Sequence, residues 1–406
     1  MGKRFITLLL GVALFAGVPV VARAQEATPS PSGTPTTSPT PTPTPSPTPT
    51  APPIPPLPVP SYTDIAGYYQ GAIKTTAVDH DWLRLRGDGS AFHPMSSITR
   101  GYLAYAIVRT FGRTIVPADG VTFTDVSTTS PLYRYVNVAV SRRWMLTSGG
   151  AFNPGGLVDK RALTYTLTRA AGLEPVSTGI NQIRTDDGYV FRHSGYFGYL
   201  TVADALRAFY NFPNSAGYEI FPGSPIHKGE LAYALLAFAN TGWRGWGLRT
   251  WGIPTLARLS VTKRKAVEFA LQYTGYPYWY AGTRPSTGFD CSGFVWWVLR
   301  SGMGNDAIRG YTGWSLPERG SKAMAANANP RIYYDQLVPL DILTWDVESG
   351  SYIPEVQYLG HAGIYLGNGW FIHSTGSRAG VALDWMGSGY WHDQFAWARR
   401  IVPLSA

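Results

Sequence analysis

The chain has 406 residues, of which 45% are hydrophobic and 15% are charged, so it has enough apolar material for two or three folded domains. Its formal net charge is +9, and this mild basic excess suits an anionic polymer as a partner. No cluster of Lys and Arg with interleaved aromatic residues is present, so we do not expect nucleic acid as a partner.

The first residues have the pattern of an export signal. Lys3 and Arg4 give a positive start, the run from Phe5 to Val21 is apolar, and Ala22-Arg23-Ala24 fits a cleavage site. We predict a signal peptide over residues 1–24, the alternative being an uncleaved membrane anchor. No cysteine directly follows the run, which excludes a lipoprotein anchor, and no second apolar run is long enough to span a bilayer. A secreted protein without a membrane partner is therefore expected.

Residues 25–60 are predicted to form a linker. Fifteen of the chain's 32 prolines lie between Pro29 and Pro60, mostly alternating with Thr or Ser, and no charged residue lies between Glu26 and Asp64. Such a segment cannot bury a core and favours extended polyproline II, which at about 3.1 Å per residue spans roughly 100 Å. It is either a spacer through the cell envelope or a passive tether.

The region from residue 61 to 242 repeats a turn followed by a helix. The turns are Phe92-His93-Pro94, Phe152-Asn153-Pro154 and, more loosely, Ile220-Phe221-Pro222. After each turn a β-branched residue and then a basic residue follow at the same offsets, as Ile98 and Arg100, Val158 and Lys160, and Ile226 and Lys228. A period of about 60 residues with a helix at the end of each unit predicts a helical array. Its three units span about 61–117, 121–175 and 180–242.

This array resembles the S-layer homology domain, which usually comes in threes. The resemblance is carried by Tyr62-Thr63-Asp64, by the turn Gly87-Asp88-Gly89 before Phe92, and by Ile98-Thr99-Arg100. It implies a spindle of three units that docks onto a secondary cell-wall polymer, with Thr99 and Arg100 in the binding groove. Units two and three have Asp159-Lys160 and His227-Lys228 instead. The alternative is that these basic residues only cap helices or lie in solvent.

A connector rich in Trp and Gly, residues 243–257, leads to a last domain, residues 258–406, with an α+β pattern. The stretch from Arg264 to Tyr273 is predicted to be an amphipathic helix. After a loop rich in Gly and Pro, the apolar run from Ser292 to Leu299 starts directly after Cys291, the single cysteine. The helix N-terminus predicted there favours a thiolate, as a nucleophile requires. The alternative for a lone cysteine is a buried, inert residue.

A nucleophilic cysteine needs a base, and two histidines flank a hairpin signal. His361 and His373 lie on either side of Gly367-Asn368-Gly369. A three-residue loop would pair Gly363 with His373 and place both histidines on one face as diagonal neighbours, whereas a two-residue loop would separate them. We predict the three-residue loop. His361 would then hold Cys291 as an ion pair, and His373 would orient His361.

At these residues the sequence closely resembles the NlpC family of papain-like cell-wall peptidases. The matching stretches run from Tyr278 to Phe294, ending in Gly-Phe-Asp-Cys-Ser-Gly-Phe, and from His361 to His373. The resemblance implies a triad of Cys291, His361 and His373. It implies cleavage of peptidoglycan stem peptides, typically between γ-D-glutamate and a diamino acid. Three further residues would line the pocket and bind a free amino end, namely Tyr278, Asp290 and Ser292.

The sequence departs from the family pattern at three places, one of which is an extra residue between Tyr278 and Cys291, and it has no sign of a cofactor. Ala281-Gly282 stands where the family usually has Gly-Gly, and Leu340-Asp341 where it generally has Gly-Asp. No His-Glu-x-x-His motif or other zinc-ligand spacing is present, and no Gly-rich phosphate loop follows a strand, so we expect neither metal nor cofactor.

The predicted fold class is multidomain: an α-helical, S-layer-homology-like repeat array followed by an α+β, papain-like catalytic domain of the NlpC type. The predicted function is a secreted, wall-docked peptidoglycan endopeptidase whose partners are stem peptides and a wall polymer. Two alternatives remain open. The same thiol would serve an amidase or a transpeptidase, and the catalytic domain could be inactive in a wall-binding protein.

Overall fold

The structure of the protein, a computed structural model, describes residues 54–67, 69–84, 89–209, 220–300, 316–347, 355–376 and 380–405. The predicted signal peptide and most of the predicted linker lie outside the described residues, as do two residues of the predicted Gly-Asp-Gly turn. The described residues all belong to one compact unit, which spans residues 49–406.

Helices dominate the part of the chain from residue 54 to residue 249. They are α1 (Gln70–Ile73), which continues as a π-helical turn (Lys74–Asp79), α2 (Arg100–Phe111), α3 (Tyr133–Ser141), α4 (Lys160–Ala170), α5 (Glu174–Ile180), α6 (Phe197–Ala205), α7 (Lys228–Ala239) and α8 (Gly242–Arg249). Polar residues start two of them by satisfying free backbone N–H groups. Thr99 accepts from Tyr102 N at α2, and Asp159 from Ala162 N at α4.

The segments before α2, α4 and α7 hydrogen-bond to one another in a closed ring. Ile98 N donates to Ile226 O, Val158 N to Ile98 O, and Ile226 N to Val158 O, at 2.9, 3.2 and 2.8 Å. The three side chains are fully buried. The β-branched position of the sequence pattern thus forms the centre where the three segments meet.

Two carboxylates hold the aromatic-x-Pro turns. Asp64 accepts hydrogen bonds from the backbone N–H groups of Phe92 and His93. Asp125 accepts the same pair from Phe152 and Asn153. His93 and Asn153 both have a φ of 58°, so each turn includes a left-handed residue. The acidic residue of the aromatic-x-Asp motif therefore satisfies backbone donors in a turn about 28 residues further along.

The predicted linker extends too far toward its C-terminal end. Ile54 is buried in the hydrophobic core. Leu57 N donates to the carboxylate of Asp81, and the guanidinium of Arg84 donates to Pro58 O. The last residues assigned to an unpacked spacer therefore lie against the helical part, because apolar residues at 54 and 57 give this stretch something to bury.

The part of the chain from residue 255 onward is α+β. Its helices are α9 (Val261–Leu271), α10 (Cys291–Leu299), α11 (Ser321–Ala326) and α12 (Tyr390–Asp393). Its main sheet consists of β5 (Ile342–Asp346), β6 (Leu359–Gly367), β7 (Trp370–Thr375), β8 (Gly380–Trp385) and β9 (Phe395–Arg399), in the antiparallel order β8-β7-β6-β5-β9. Helix α9 begins three residues earlier than predicted, because Ser260 caps it by accepting from Lys263 N. Helix α10 begins at Cys291, as predicted.

Two short pairings precede this sheet in the chain. Strand β1 (Arg184–Thr185), from the helical part, pairs in parallel with β2 (Thr255–Leu256), and β3 (Thr283–Arg284) pairs with β4 (Gly288–Phe289). The predicted connector thus contributes α8 and the strand β2 that joins it to the helical part. Among the described residues, no helix combines the length and the apolar character needed to cross a membrane.

Polar contacts and a shared core join the helical part to the α+β part. The hydroxyl of Tyr189 donates to Glu268 at 2.7 Å, and Arg264 pairs with Asp187 at 3.0 Å. The same hydrophobic cluster includes Phe209 from the helical part and Val381 from β8. The helical residues are therefore packed directly against the sheet that carries the candidate site.

Candidate active site

The first turn of α10 is held by its cap residue and by a close backbone approach. The Asp290 carboxylate accepts from Gly293 N at 2.6 Å and from the Ser292 hydroxyl at 3.0 Å. A Cβ atom at position 293 would lie 1.9 Å from Gly282 O, so glycine is required there. Asp290 is therefore a helix cap, and Cys291 begins a rigid turn.

Cys291 lies at the N-terminus of α10 against the backbone of β6. Its Sγ is 3.8 Å from Gly360 O, a weak S–H donor contact, and its side chain is only 8% exposed. The backbone N–H of Ala362 also faces the sulfur. Gly360 and Ala362 flank His361, so the thiol and the predicted base share one end of β6.

The hairpin brings His361 and His373 together, as predicted. His361 Nε2 lies 2.7 Å from His373 Nδ1, and both side chains are buried. Gly363 pairs with His373, which confirms the predicted register. The turn itself differs from the prediction, because the strands end at Gly367 and resume at Trp370.

A bulge explains why the register survives this shorter turn. The pairing shifts by one residue between Tyr365 and Gly367. Without that shift, a two-residue turn would have placed the two histidines on opposite faces of the sheet. Asn368 has a φ of 53° and Gly369 one of 81°, which suits the tight turn.

A carboxylate that the sequence analysis did not single out lies behind His373. Asp384 Oδ2 is 3.9 Å from His373 Nε2 and accepts from Trp391 Nε1 at 2.8 Å. The Trp391 ring also stacks on His361, with 5.1 Å between ring centroids. The sequence feature that could have pointed to Asp384 is that it is the single acidic residue in the otherwise apolar strand β8. Asp384 and Trp391 thus contact each other and the pair of histidines.

Burial keeps the cysteine and the adjacent histidine neutral. Burial, and then the Asp290 carboxylate, raise the pKa of Cys291 to about 12, and three backbone N–H groups oppose that shift. Burial, and then the proximity of His373, hold the pKa of His361 well below its usual value. Both shifts favour the uncharged forms and so oppose the thiolate–imidazolium pair that the sequence analysis predicts.

The three residues expected to line the pocket lie around Cys291. Tyr278 is half-buried, and burial, then Cys291 and Asp290, raise the pKa of Tyr278 to about 12. Ser292 and Asp290 are joined by the hydrogen bond described above. Asp290 is thus near enough to influence the pKa of the thiol, and the thiol is near enough to influence the pKa of Tyr278.

A cavity of about 500 Å³ opens beside the two histidines. Its lining residues are Arg207, Val347, His361, Thr375, Asp384, Tyr390 and Trp391. Six of these residues come from the α+β part. Arg207 comes from the loop after α6, about 150 residues earlier than His361 in the chain, and the sequence analysis gave no reason to choose it. Among the described residues no group of three or more His, Cys, Asp and Glu side chains is placed to hold a metal ion.

Thr99 and Arg100 belong to the helical part and not to this cavity. Thr99 caps α2, and the Arg100 guanidinium donates to Phe152 O at 2.8 Å. The basic residues at the same position of α4 and α7 make similar contacts, Lys160 with Ile220 O and Lys228 with Phe92 O. Each basic side chain therefore contacts the turn that precedes another helix. Arg100 also lines a separate cavity of about 370 Å³.

The comparison with protein families gives a match over residues 275–400, to the NlpC/P60 family. This segment is an NlpC/P60 domain. It contains the residues predicted from the sequence to form the triad and the pocket. The prediction of a cysteine-peptidase domain is confirmed over these residues.

Curated relatives of this domain include a bifunctional muramidase/DL-endopeptidase and a gamma-DL-glutamyl hydrolase. The chain is 33% identical to the bifunctional muramidase/DL-endopeptidase CwlT of Bacillus subtilis over 132 residues, which are 32% of this chain and 34% of that protein. It is 31% identical to the gamma-DL-glutamyl hydrolase of the same organism over 141 residues, 34% of this chain and 29% of that protein. The chain spans about a third of the length of the curated relatives it matches.

Solved structures of the same family are also similar. One is an NlpC/P60 family protein from Bacillus cereus, with 24% identity, a TM-score of 0.28, and coverage of 35% of this chain and 40% of that one.

Proposed function

We propose that the protein is a peptidoglycan endopeptidase that cleaves stem peptides through Cys291, His361 and His373. The observation that carries this proposal is the 2.7 Å contact between His361 Nε2 and His373 Nδ1 at the end of β6 where Cys291 lies, inside an NlpC/P60 domain. The bond we propose is that between γ-D-glutamate and the following diamino acid. The printed names of two relatives, a DL-endopeptidase and a gamma-DL-glutamyl hydrolase, support it.

The proposed reaction starts from the neutral pair. Because Nε2 of His361 is engaged with His373, Nδ1 of His361 is the nitrogen that takes the proton from Cys291. The sulfur attacks the scissile carbonyl carbon, and the backbone N–H of Cys291 stabilises the resulting oxyanion. Proton transfer from Cys291 to His361 creates the thiolate and the imidazolium only when the substrate is bound. The attraction between these two charges then offsets the desolvation cost that disfavours them in the free protein.

The same groups then form the acyl-enzyme and hydrolyse it. His361 gives its proton to the leaving amine as the C–N bond breaks, leaving a thioester on Cys291. A water molecule gives a proton to His361 and attacks the thioester, and the thiol is regenerated. His373 holds the imidazole of His361 in orientation, and Asp384 lies behind His373. Tyr278, Asp290 and Ser292 are proposed to bind the free amino end of the stem peptide.

Mass spectrometry of defined stem peptides and of whole peptidoglycan tests this proposal. We expect the protein to cleave the γ-D-glutamyl bond and the Cys291→Ala variant to cleave nothing, with unchanged circular dichroism. Product masses would identify an amidase or a transpeptidase instead. Absence of cleavage in both proteins, with the fold intact, would favour a wall-binding protein without activity.

We further propose that residues 61–242 form three units that dock onto an anionic wall polymer and hold the exported enzyme in the envelope. Support comes from the cavity that Arg100 lines together with Tyr165, Tyr196 and Tyr199. Tyrosine faces suit sugar rings, and a guanidinium suits anionic substituents. The signal peptide over residues 1–24 and the linker are part of the same proposal.

Cosedimentation with cell walls tests the docking. The Cys291→Ala protein is expected to pellet with intact walls and to stay in solution with walls stripped of their anionic polymer. Tyr196→Ser, at an exposed edge of the cavity, is expected to weaken pelleting several-fold without loss of stability. Equal pelleting with intact and stripped walls would contradict a polymer-specific array.

A further inference from the structure

The catalytic cavity has a permanently charged cation that does not belong to the NlpC/P60 domain. Arg207 lines the cavity together with His361, Asp384 and Thr375. Because the pKa of His361 is held well below its usual value, that imidazole contributes no positive charge near neutral pH. Among the described lining residues, Arg207 is therefore the group that can attract an anion. Asp384, which also lines the cavity, accepts a hydrogen bond from Trp391.

The backbone at Arg207 is fixed by the end of α6. Leu206 N donates to Val202 O, Arg207 N to Asp204 O and Ala208 N to Ala203 O, at 3.0, 2.9 and 2.9 Å. Leu206, Ala208 and Phe209 are buried, whereas Arg207 is exposed. The backbone that carries the arginine at the rim of the cavity is thus held by buried neighbours and not by a free loop.

A second arginine in the chain has the same local structure without the cavity. Arg143 follows α3, has a φ of 58° against 56° at Arg207, and lies in the same pattern of backbone hydrogen bonds. It is exposed and is not among the residues that line the cavity. The left-handed turn is therefore a shared feature of the helical part. What distinguishes Arg207 is its location beside His361, and Arg143 is the matched control.

The proposed substrate has a carboxylate close to its scissile bond that Arg207 could bind. A glutamate linked through its γ-carboxyl keeps a free α-carboxylate, a few bonds from the scissile amide. His361, the proposed base for Cys291, lines this cavity, so a substrate whose scissile carbonyl lies at Cys291 would lie next to it. A guanidinium binds a carboxylate through two parallel hydrogen bonds. In many walls this carboxylate is instead a neutral carboxamide, which accepts weaker hydrogen bonds.

We propose that Arg207 binds the free carboxylate next to the scissile bond and so makes the enzyme selective for carboxylate over carboxamide stem peptides. This inference rests on the proposed endopeptidase function. It assigns substrate selection to a residue of the helical part, so the two parts of the chain would form one binding site. Because the arginine is partly solvated, a preference of about 10- to 100-fold in kcat/KM is expected from a charge-assisted hydrogen-bond pair.

Two stem peptides that differ only in carboxylate or carboxamide at the γ-linked glutamate test this inference. The protein should prefer the carboxylate peptide, mainly through KM. Arg207→Gln should lower that preference to about one, and Arg207→Lys should restore part of it, because an ammonium keeps the charge but not the two parallel bonds. Arg143→Gln should keep the full preference. Circular dichroism and melting curves of all variants check their folding.

The outcomes separate this inference from the function on which it rests. Cleavage of both peptides with the same preference in the Arg207→Gln variant would overturn the role of Arg207 and leave the endopeptidase intact. An equal fall in kcat/KM for both peptides would assign Arg207 a structural role only, which also overturns the inference. Failure of the unchanged protein to cleave either peptide would remove the proposed function, and this inference with it.

Discussion

Desolvation decides the charge state of the two reacting side chains. Cys291 and His361 are both buried, and their pKa values move in opposite directions, up for the thiol and down for the imidazole. Both shifts favour the uncharged form. In the proposed reaction, a single proton transfer converts the neutral pair into the thiolate and the imidazolium without changing the total number of protons, so we expect activity over a wide pH range.

The rate at which iodoacetamide labels Cys291 should therefore rise with pH without an early plateau. Only the thiolate reacts, and a pKa raised to about 12 means that its fraction grows about tenfold per pH unit from pH 6 to pH 9. Mass spectrometry of quenched samples gives the rate. The same thiol in urea is the control and should level off near its ordinary pKa. A plateau from pH 5 upward in the folded protein would instead show a resting ion pair.

At the scale of the elements, short turns position the residues of the candidate site. Some of these turns have a strained backbone conformation. Ala281, in the loop before α10, has a φ of 59°, a conformation that favours glycine. It precedes Gly282, whose carbonyl oxygen contacts Gly293 in the first turn of α10. The resemblance places a glycine at position 281 in related sequences, and the backbone conformation gives the physical reason.

Ala281→Gly should raise the free energy of unfolding by about 0.5–1 kcal/mol. Relief of the left-handed strain is worth about 1–2 kcal/mol, and the greater freedom of glycine in the unfolded chain offsets part of it. Urea denaturation measures the change. Ala237→Gly, inside α7, is the control and should lower stability by about 1 kcal/mol. Destabilisation at both positions would show that the turn at Ala281 carries no strain.

At the scale of the whole molecule, the buried side chain of Lys160 connects the helical part to the α+β part. Lys160 is fully buried, and its Nζ donates to Gly275 O at 2.6 Å, where the chain enters the NlpC/P60 domain. Burial lowers the pKa of Lys160, and the nearby carboxylates of Asp204 and Glu230 oppose that shift. These two carboxylates, one from α6 and one from α7, are the nearby charges that favour the protonated form of Lys160.

Lys160→Met should lower the free energy of unfolding by about 3–5 kcal/mol, because two buried carboxylates lose their cation. Lys228→Met provides the matched control at the same position of α7. Lys228 is only half-buried and donates to Phe92 O, so its loss should cost about 1 kcal/mol. Urea denaturation of both variants gives the comparison. Equal, small losses would mean that the Lys160 cluster is neutral or solvated.

Part of the site could be predicted because it depends on neighbours in the chain. The start of α10 follows from Asp290, which caps it, and from Gly293, which allows the close approach of Gly282. The predicted register that joins His361 and His373 is confirmed, although it arises from a two-residue turn with a bulge and not from the three-residue turn that was predicted. The predicted length of the turn was wrong, because a bulge between Tyr365 and Gly367 depends on backbone pairing that no residue type announces.

The sequence by itself determined which chemistry this chain carries: one cysteine at a helix start, two histidines on one hairpin, and a basic residue at the head of each of three helices. Only the tertiary structure decided the environment in which that chemistry operates. The neutral state of Cys291, the position of Asp384 behind His373, and the entry of Arg207 into the cavity all depend on contacts between segments far apart in the chain. Burial and long-range packing set them, and neither has a local signature in the sequence.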